Sequence, residues 1–237
     1  MSEFLLTLAV KTVLIVSVCM LMVAYLTLAE RKILGFIQLR YGPNRVGFWG
    51  LLQPIADGIK AFLKEEVTPD NADRKVFLVA PIISIAAPML LLVVIPFGDT
   101  VTLFGREYTL YLSNPDIGIL FVLGISTLGS YGGMLGGWAS GNKYGYIGGV
   151  RSTAMMVSYE LSMAFAVICV ILLSNSLSLV EIVHSQAGVW NIFKAPVAFV
   201  IFIISGLAEL NRTPFDMPEA EAELCCGYNV EYSSMKF

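Results

Sequence analysis

Charge is scarce in this chain of 237 residues: Asp, Glu, Lys and Arg make up 14% of it, against 57% hydrophobic residues. That balance excludes a soluble domain, whose residues are about one quarter charged. Histidine occurs once, at His184, and the four cysteines stand at Cys19, Cys169, Cys225 and Cys226. So few ligands at such spacings exclude a haem or iron-sulfur site built by this chain alone. The cysteines form no disulfide framework and read as free thiols. No Ser-His-Asp arrangement is recognisable, and no glycine-rich loop joins a strand to a helix, so nucleotide phosphates have no cradle. The net charge of −3 and the scatter of the basic residues give no footprint for nucleic acid. Fixed-period repeats and the short alternating segments of a membrane barrel are both missing.

Long apolar runs are what the chain has. Residues 4–29, 76–97, 117–139, 153–173 and 193–210 are each expected, at about 1.5 Å per helical residue, to be long enough to cross roughly 30 Å of hydrocarbon. The fold class is therefore all-α integral membrane, a single polytopic domain over 1–237. The first run opens with Glu3, lacks a basic leader and is too long for a signal core, so it reads as an uncleaved span. Lys11, a third of the way along it, can snorkel to the interface. Twelve of the fifteen basic residues fall on the side of the first loop and the C-terminal segment, so the positive-inside rule places both in the cytoplasm and the N-terminus outside.

The loops carry the detail. Residues 98–115 alternate around Gly105 in a way that predicts a small hairpin, and His184 falls on a short amphipathic helix. In the first inner loop Phe48, Leu51, Leu52, Ile55, Ile59, Phe62 and Leu63 recur at helical spacing, with Gln53, Asp57, Lys60 and Lys64 largely opposite. Such a helix lies in the membrane interface, apolar face down. Asp57 then faces either water or a cavity. Gly129, Gly132, Gly133, Gly136 and Gly137 in the third run give overlapping small-xxx-small spacings, a pattern for close helix packing.

Six of the eighteen carboxylates crowd into residues 209–237: Glu209, Asp216, Glu219, Glu221, Glu223 and Glu231. At a bilayer edge such a cluster either handles protons or forms a solvated acidic loop, and Pro214 and Pro218 around Phe215 favour a structured turn. Glu160 lies about 10 Å into the fourth run, where an ionised carboxylate costs on the order of 2.5–3.5 kcal/mol. It must face the bundle interior, pair or take a proton, with Ser158, Tyr159 and Ser162 as nearby hydroxyls. Glu30 and Glu209 mark inner ends of spans, where charges are ordinary or functional alike. Arg40 and Arg45 flank a turn beside Tyr41, Phe48 and Trp49, fit either for lipid headgroups or for lining a path to an apolar ring.

Several motifs resemble one family in order and position: Ala29-Glu30-Arg31-Lys32, Gln38-Leu39-Arg40-Tyr41-Gly42-Pro43-Asn44-Arg45-Val46-Gly47, Gln53-Pro54-Ile55-Ala56-Asp57-Gly58-Ile59-Lys60, Val157-Ser158-Tyr159-Glu160, Asn211-Arg212-Thr213-Pro214-Phe215-Asp216 and Glu231-Tyr232-Ser233-Ser234. They resemble the H subunit of proton-pumping NADH-quinone oxidoreductase, which is subunit 1 in mitochondrial complex I, over the whole chain. The resemblance implies a subunit that forms most of a quinone tunnel where the membrane arm meets the hydrophilic arm. It implies quinone as substrate, with flavin and iron-sulfur clusters only in partners. Those partners are the hydrophilic-arm quinone-site and iron-sulfur subunits, small neighbouring membrane-arm subunits, and lipid. By motif match Glu30, Arg31, Arg40, Arg45, Asp57, Arg212 and Phe215 lie in or beside the tunnel, and Glu160, Glu209, Asp216, Glu219, Glu221, Glu223 and Glu231 match or adjoin the acidic route to the pumping subunits. No residue is expected to be catalytic or to bind metal. Family members continue through about three more helices, so the domain is expected to be incomplete.

The reading is thus a membrane subunit of a respiratory quinone reductase in a bacterial inner membrane or another energy-transducing membrane. A homologous subunit of a membrane-bound hydrogenase is the nearest competitor, separable by the hydrophilic subunits that copurify. A secondary transporter, of another class, would transport without redox partners.

Overall fold

The structure is a computed structural model that describes residues 2–103, 106–211, 214–216 and 227–234. Its elements are helix α1 (Ser2–Ile37), a 3-10 turn (Phe48–Gly50), α2 (Gln53–Leu63), α3 (Arg74–Leu91), strands β1 (Thr100–Leu103) and β2 (Arg106–Thr109), α4 (Gly118–Ala139), α5 (Lys143–Ser174), α6 (Leu179–Ser185), α7 (Asn191–Lys194), α8 (Pro196–Glu209) and a 3-10 turn at Gly227–Asn229. The chain divides into two compact units, Met1–Val67 with Tyr232–Phe237, and Thr68–Glu231.

In the first unit, α1 runs 36 residues without a proline and continues past the apolar run to Ile37, so Glu30, Arg31 and Lys32 ride on the same helix as the span. The chain then turns sharply. Leu39 and Trp49 hold positive φ, and Gly50, at φ 77°, passes so close to the carbonyl of Pro43 that a side chain there would collide with it. Pro54 at the start of α2 sets the helix going, since its missing N–H falls where the helix has no acceptor to satisfy. The amphipathic helix expected in this loop is present. From the C-terminal segment, Ser234 Oγ donates to the Ala61 carbonyl at 2.8 Å and Ser233 Oγ accepts from the Val67 amide at 3.0 Å. Tyr232 is buried, and burial pushes its phenol up to about 12.

The second unit is a bundle in which α4 packs against both α3 and α5, and α5 against α8. Asp73 caps α3 by accepting from the Lys75 amide at 3.1 Å, and Asn142 caps α5 by accepting from Tyr144 at 3.0 Å. Gly132 sits against Ala80 and Ser84 of α3, and Gly137 against Gly145 and Gly149 of α5. At both places a methyl group would collide with the facing helix, so the glycine spacing seen in the sequence is a packing device. Between α3 and α4, β1 and β2 pair antiparallel, as the alternation predicts, and His184 lies on α6, its Nε2 3.2 Å from Asp99 Oδ1.

Among the described residues, α1, α3, α4 and α5 are long and apolar enough to cross a membrane. The fifth expected span, 193–210, departs from a single long helix. Ala195 has φ −136° and ψ 67°, because the residue before a proline is driven out of helical geometry, so α7 stops there and α8 starts afresh at Pro196. At 14 residues α8 covers only about 21 Å.

Candidate functional site

Two clusters hold the chemistry, one in each unit. In the first, the Arg31 guanidinium of α1 lies 2.6 Å from Asp57 Oδ2 of α2, and Gln53 Nε2 donates to Asp57 Oδ1 at 3.0 Å. Gln53 and Asp57 are four residues apart and so share a face of α2, which turns that face toward α1. Arg31, then Gln53, holds the Asp57 carboxyl below the usual carboxylate range, and Lys60 adds to the effect. Asp57 therefore pairs with a cation on α1 while its side chain stays 39% exposed. Beside this pair opens a cleft of about 520 Å³ lined by Arg31, Arg40, Tyr41, Asn44, Arg45 and Gln53 among others. Arg40 Nε is steadied by Gln38 Oε1 at 2.6 Å. At the rim Lys32 Nζ donates to the Trp49 carbonyl and stands 5.5 Å from the Trp49 ring centroid, a cation–π contact that anchors the turn. Glu30 is half-buried on the same helix.

In the second unit, Glu160 Oε1 lies in hydrogen-bond reach of Thr127 Oγ1 and, at 3.3 Å, of Ser126 Oγ, both on α4, and each of these hydroxyls also reaches the Leu123 carbonyl at 2.9 Å. Of the hydroxyls on its own helix, Ser158 is engaged elsewhere. Ser158 Oγ turns back to the Ala154 carbonyl at 2.7 Å, since a serine side chain in a helix reaches the preceding turn, and Tyr159 packs edge-on against Phe215 at 5.1 Å. Ser126 and Thr127 went unnoticed in the sequence, although two adjacent hydroxyls inside an apolar run are themselves a signal. Glu209, at the end of α8, is close enough to Glu160 to feel its charge, and shares a cavity wall with Ser126. Glu231 accepts from Asn142 Nδ2 at 2.8 Å, so the residue that caps α5 also holds this carboxylate. Asp216 has a buried Oδ1 with no partner among the described residues. Arg212, Glu219, Glu221 and Glu223 lie outside the described residues. Among the described residues, no three His, Cys, Asp or Glu side chains converge as metal ligands would.

Membrane-length apolar helices packed through glycines, with a carboxylate held between two of them, define a multi-pass helical membrane protein. The profile of the NADH dehydrogenase family matches residues 10–237. The chain is 49% identical to one of the NADH-quinone oxidoreductase H subunits of Geobacter sulfurreducens, over 96% of this chain and 69% of the relative. It is 48% identical to the NADH-quinone oxidoreductase H subunit of Syntrophotalea carbinolica, over 100% of this chain and 73% of the relative, and 45% identical to that of Flavobacterium johnsoniae, over 99% and 67%. The chain belongs to the NADH dehydrogenase family, among the H subunits of NADH-quinone oxidoreductase.

Proposed function

We propose that this chain is the membrane subunit of an H+-translocating NADH-quinone oxidoreductase that forms the wall of the quinone path and passes the effect of quinone reduction to proton translocation through its carboxylates. The observation that carries the first part is the closing of three separated segments, around Arg31, Arg40 to Arg45, and Gln53, into one cleft, with Asp57 paired to Arg31 beside it. Guanidinium groups and the Tyr41 ring give that cleft donors for quinone oxygens and a flat apolar face for the ring. Glu30, Arg212 and Phe215 are assigned to the same path by their motifs. The chain supplies positioning, and the hydrophilic-arm subunits supply the electrons and the residues that hold the reacting headgroup.

The second part rests on Glu160. A hydroxyl donates to a carboxylate and accepts from a carboxylic acid, so Ser126 and Thr127 suit both protonation states. Glu209, Asp216, Glu219, Glu221, Glu223 and Glu231 complete the acidic route in this reading. The membrane is a bacterial inner membrane, with the first loop and the C-terminal segment on its cytoplasmic side. Irradiating the assembled complex with a photoreactive quinone analogue tests the proposal: label is expected within residues 38–45, displaced by unlabelled quinone. Label that bypasses this segment overturns the assignment.

A further inference from the structure

In the second unit, α4, α5 and α8 leave an apolar cavity of about 440 Å³, within the roughly 300–1,000 Å³ of small-molecule sites. Its wall runs about 10 Å along α4 and α5 and about 16 Å along α8, which makes it a slot rather than a chamber. The polar groups are few. Ser126 and Glu209 lie toward the end where α8 finishes, and Asn191 lies at the other, just before α8 begins. Asn191 is only 8% exposed. Its backbone is satisfied, the amide donating to Gln186 Oε1 at 3.3 Å and the carbonyl accepting from Ala195 at 2.9 Å, but its side-chain Nδ2 has no acceptor among the described residues. A buried donor left that way carries an uncompensated desolvation penalty. Water is a poor remedy, because a buried water needs two to four polar partners and the wall around Asn191 is hydrocarbon: Leu179, Ile192, Ala195 and Phe199. The missing piece is an extended apolar chain that carries an acceptor near one end.

We propose that this slot binds a membrane glycerolipid, an acyl chain between α4, α5 and α8 and an ester carbonyl accepting from Asn191 Nδ2. The surroundings argue for that occupant over any other, since α3, α4 and α5 are membrane-length helices whose solvent is lipid. Glu209 then borders a greasy plug instead of open water on this side, and the slot is separate from the arginine-lined cleft of the first unit.

The test uses the intact complex, reconstituted with a phosphatidylethanolamine that bears a diazirine in one acyl chain, irradiated and mapped by peptide mass spectrometry. Cross-links are expected on the wall at Met163 and Phe199. Ala166→Phe, which fills the slot, is expected to reduce them at least about fivefold while labelling of exposed Leu14 and Leu26 on α1 persists. Asn191→Leu, close in size and gentler on assembly, is expected to reduce wall labelling about threefold to tenfold, the worth of one hydrogen bond. An unlabelled wall in the wild-type complex overturns the proposal, as it would if another protein segment filled the slot. So does wall labelling that Asn191→Leu leaves intact, or label displaced by a short-chain quinone and not by unlabelled phospholipid.

Discussion

Asp57 and Glu160 are both carboxylates fixed by a neighbouring helix, yet the neighbours answer them differently. Asp57 meets the guanidinium of Arg31, and its side chain keeps 39% of its exposure. Glu160 meets two hydroxyls on α4. A cation fixes the charge of its partner, because protonation would break the pair. Hydroxyls leave the choice open, since each can donate to the ion or accept from the acid. The two sites therefore differ in kind: Asp57 is tied to a cation on α1, whereas Glu160 is met by groups that can donate or accept.

The largest effect is expected where that contrast is sharpest. Glu160→Gln keeps an acceptor oxygen for Ser126 and Thr127, so assembly is expected to hold while proton translocation by the reconstituted complex falls about tenfold or more. Undiminished pumping in proteoliposomes would break the comparison, leaving Glu160 as a buried structural carboxylate. Thr127→Val is the next step down. It removes one donor and keeps the shape, at about 1–2 kcal/mol, so pumping is expected to drop about fivefold with the complex intact. If Ser126→Ala and Thr127→Val together cost the sum of the two alone, the two hydroxyls do not act on Glu160 as a pair.

How much of this was legible in the sequence depends on the range of the interaction. The helices of the first four apolar runs, the amphipathic helix, the hairpin and the glycine contacts follow from local pattern, whereas the fifth run is broken at Ala195. Helix ends were less legible: α5 starts at Lys143, ten residues before the apolar run, because Asn142 caps it, and α8 is cut short by Pro196. The partners of Asp57 and Glu160 were not legible at all. Arg31 is 26 residues from Asp57 and Thr127 is 33 from Glu160, and hydropathy says nothing of which face of one helix meets which face of the next. For Glu160 the sequence offered the serines nearest in number, whereas geometry selected hydroxyls across the helix interface. The carboxylates at 219, 221 and 223 remain assigned by motif alone.

The smallest effect is expected at Asp57. Its pair with Arg31 is exposed enough that breaking it is worth about 1 kcal/mol or less in stability. Asp57→Asn keeps the contact with Gln53 and loses the ion pair, so quinone reductase turnover is expected to fall only about twofold to threefold, with altered inhibitor sensitivity as α2 loosens from α1. Unchanged turnover and inhibitor sensitivity would return α2 to the role of a plain interfacial helix. The pH dependence gives an independent reading with a definite sign. Because Arg31 and Gln53 lower the carboxyl's pKa, the free carboxyl takes up a proton at a higher pH than the paired one. The pair's contribution is thus complete above the ordinary aspartate value of about 3.9 and is lost only as pH falls through the lowered one. Limited proteolysis of the segment joining α1 and α2 should therefore be flat from neutral pH down to mild acid in the wild type, and faster throughout that range in Asp57→Asn. Cleavage in the wild type that already accelerates near pH 6 would show that Arg31 and Asp57 do not hold the two helices together.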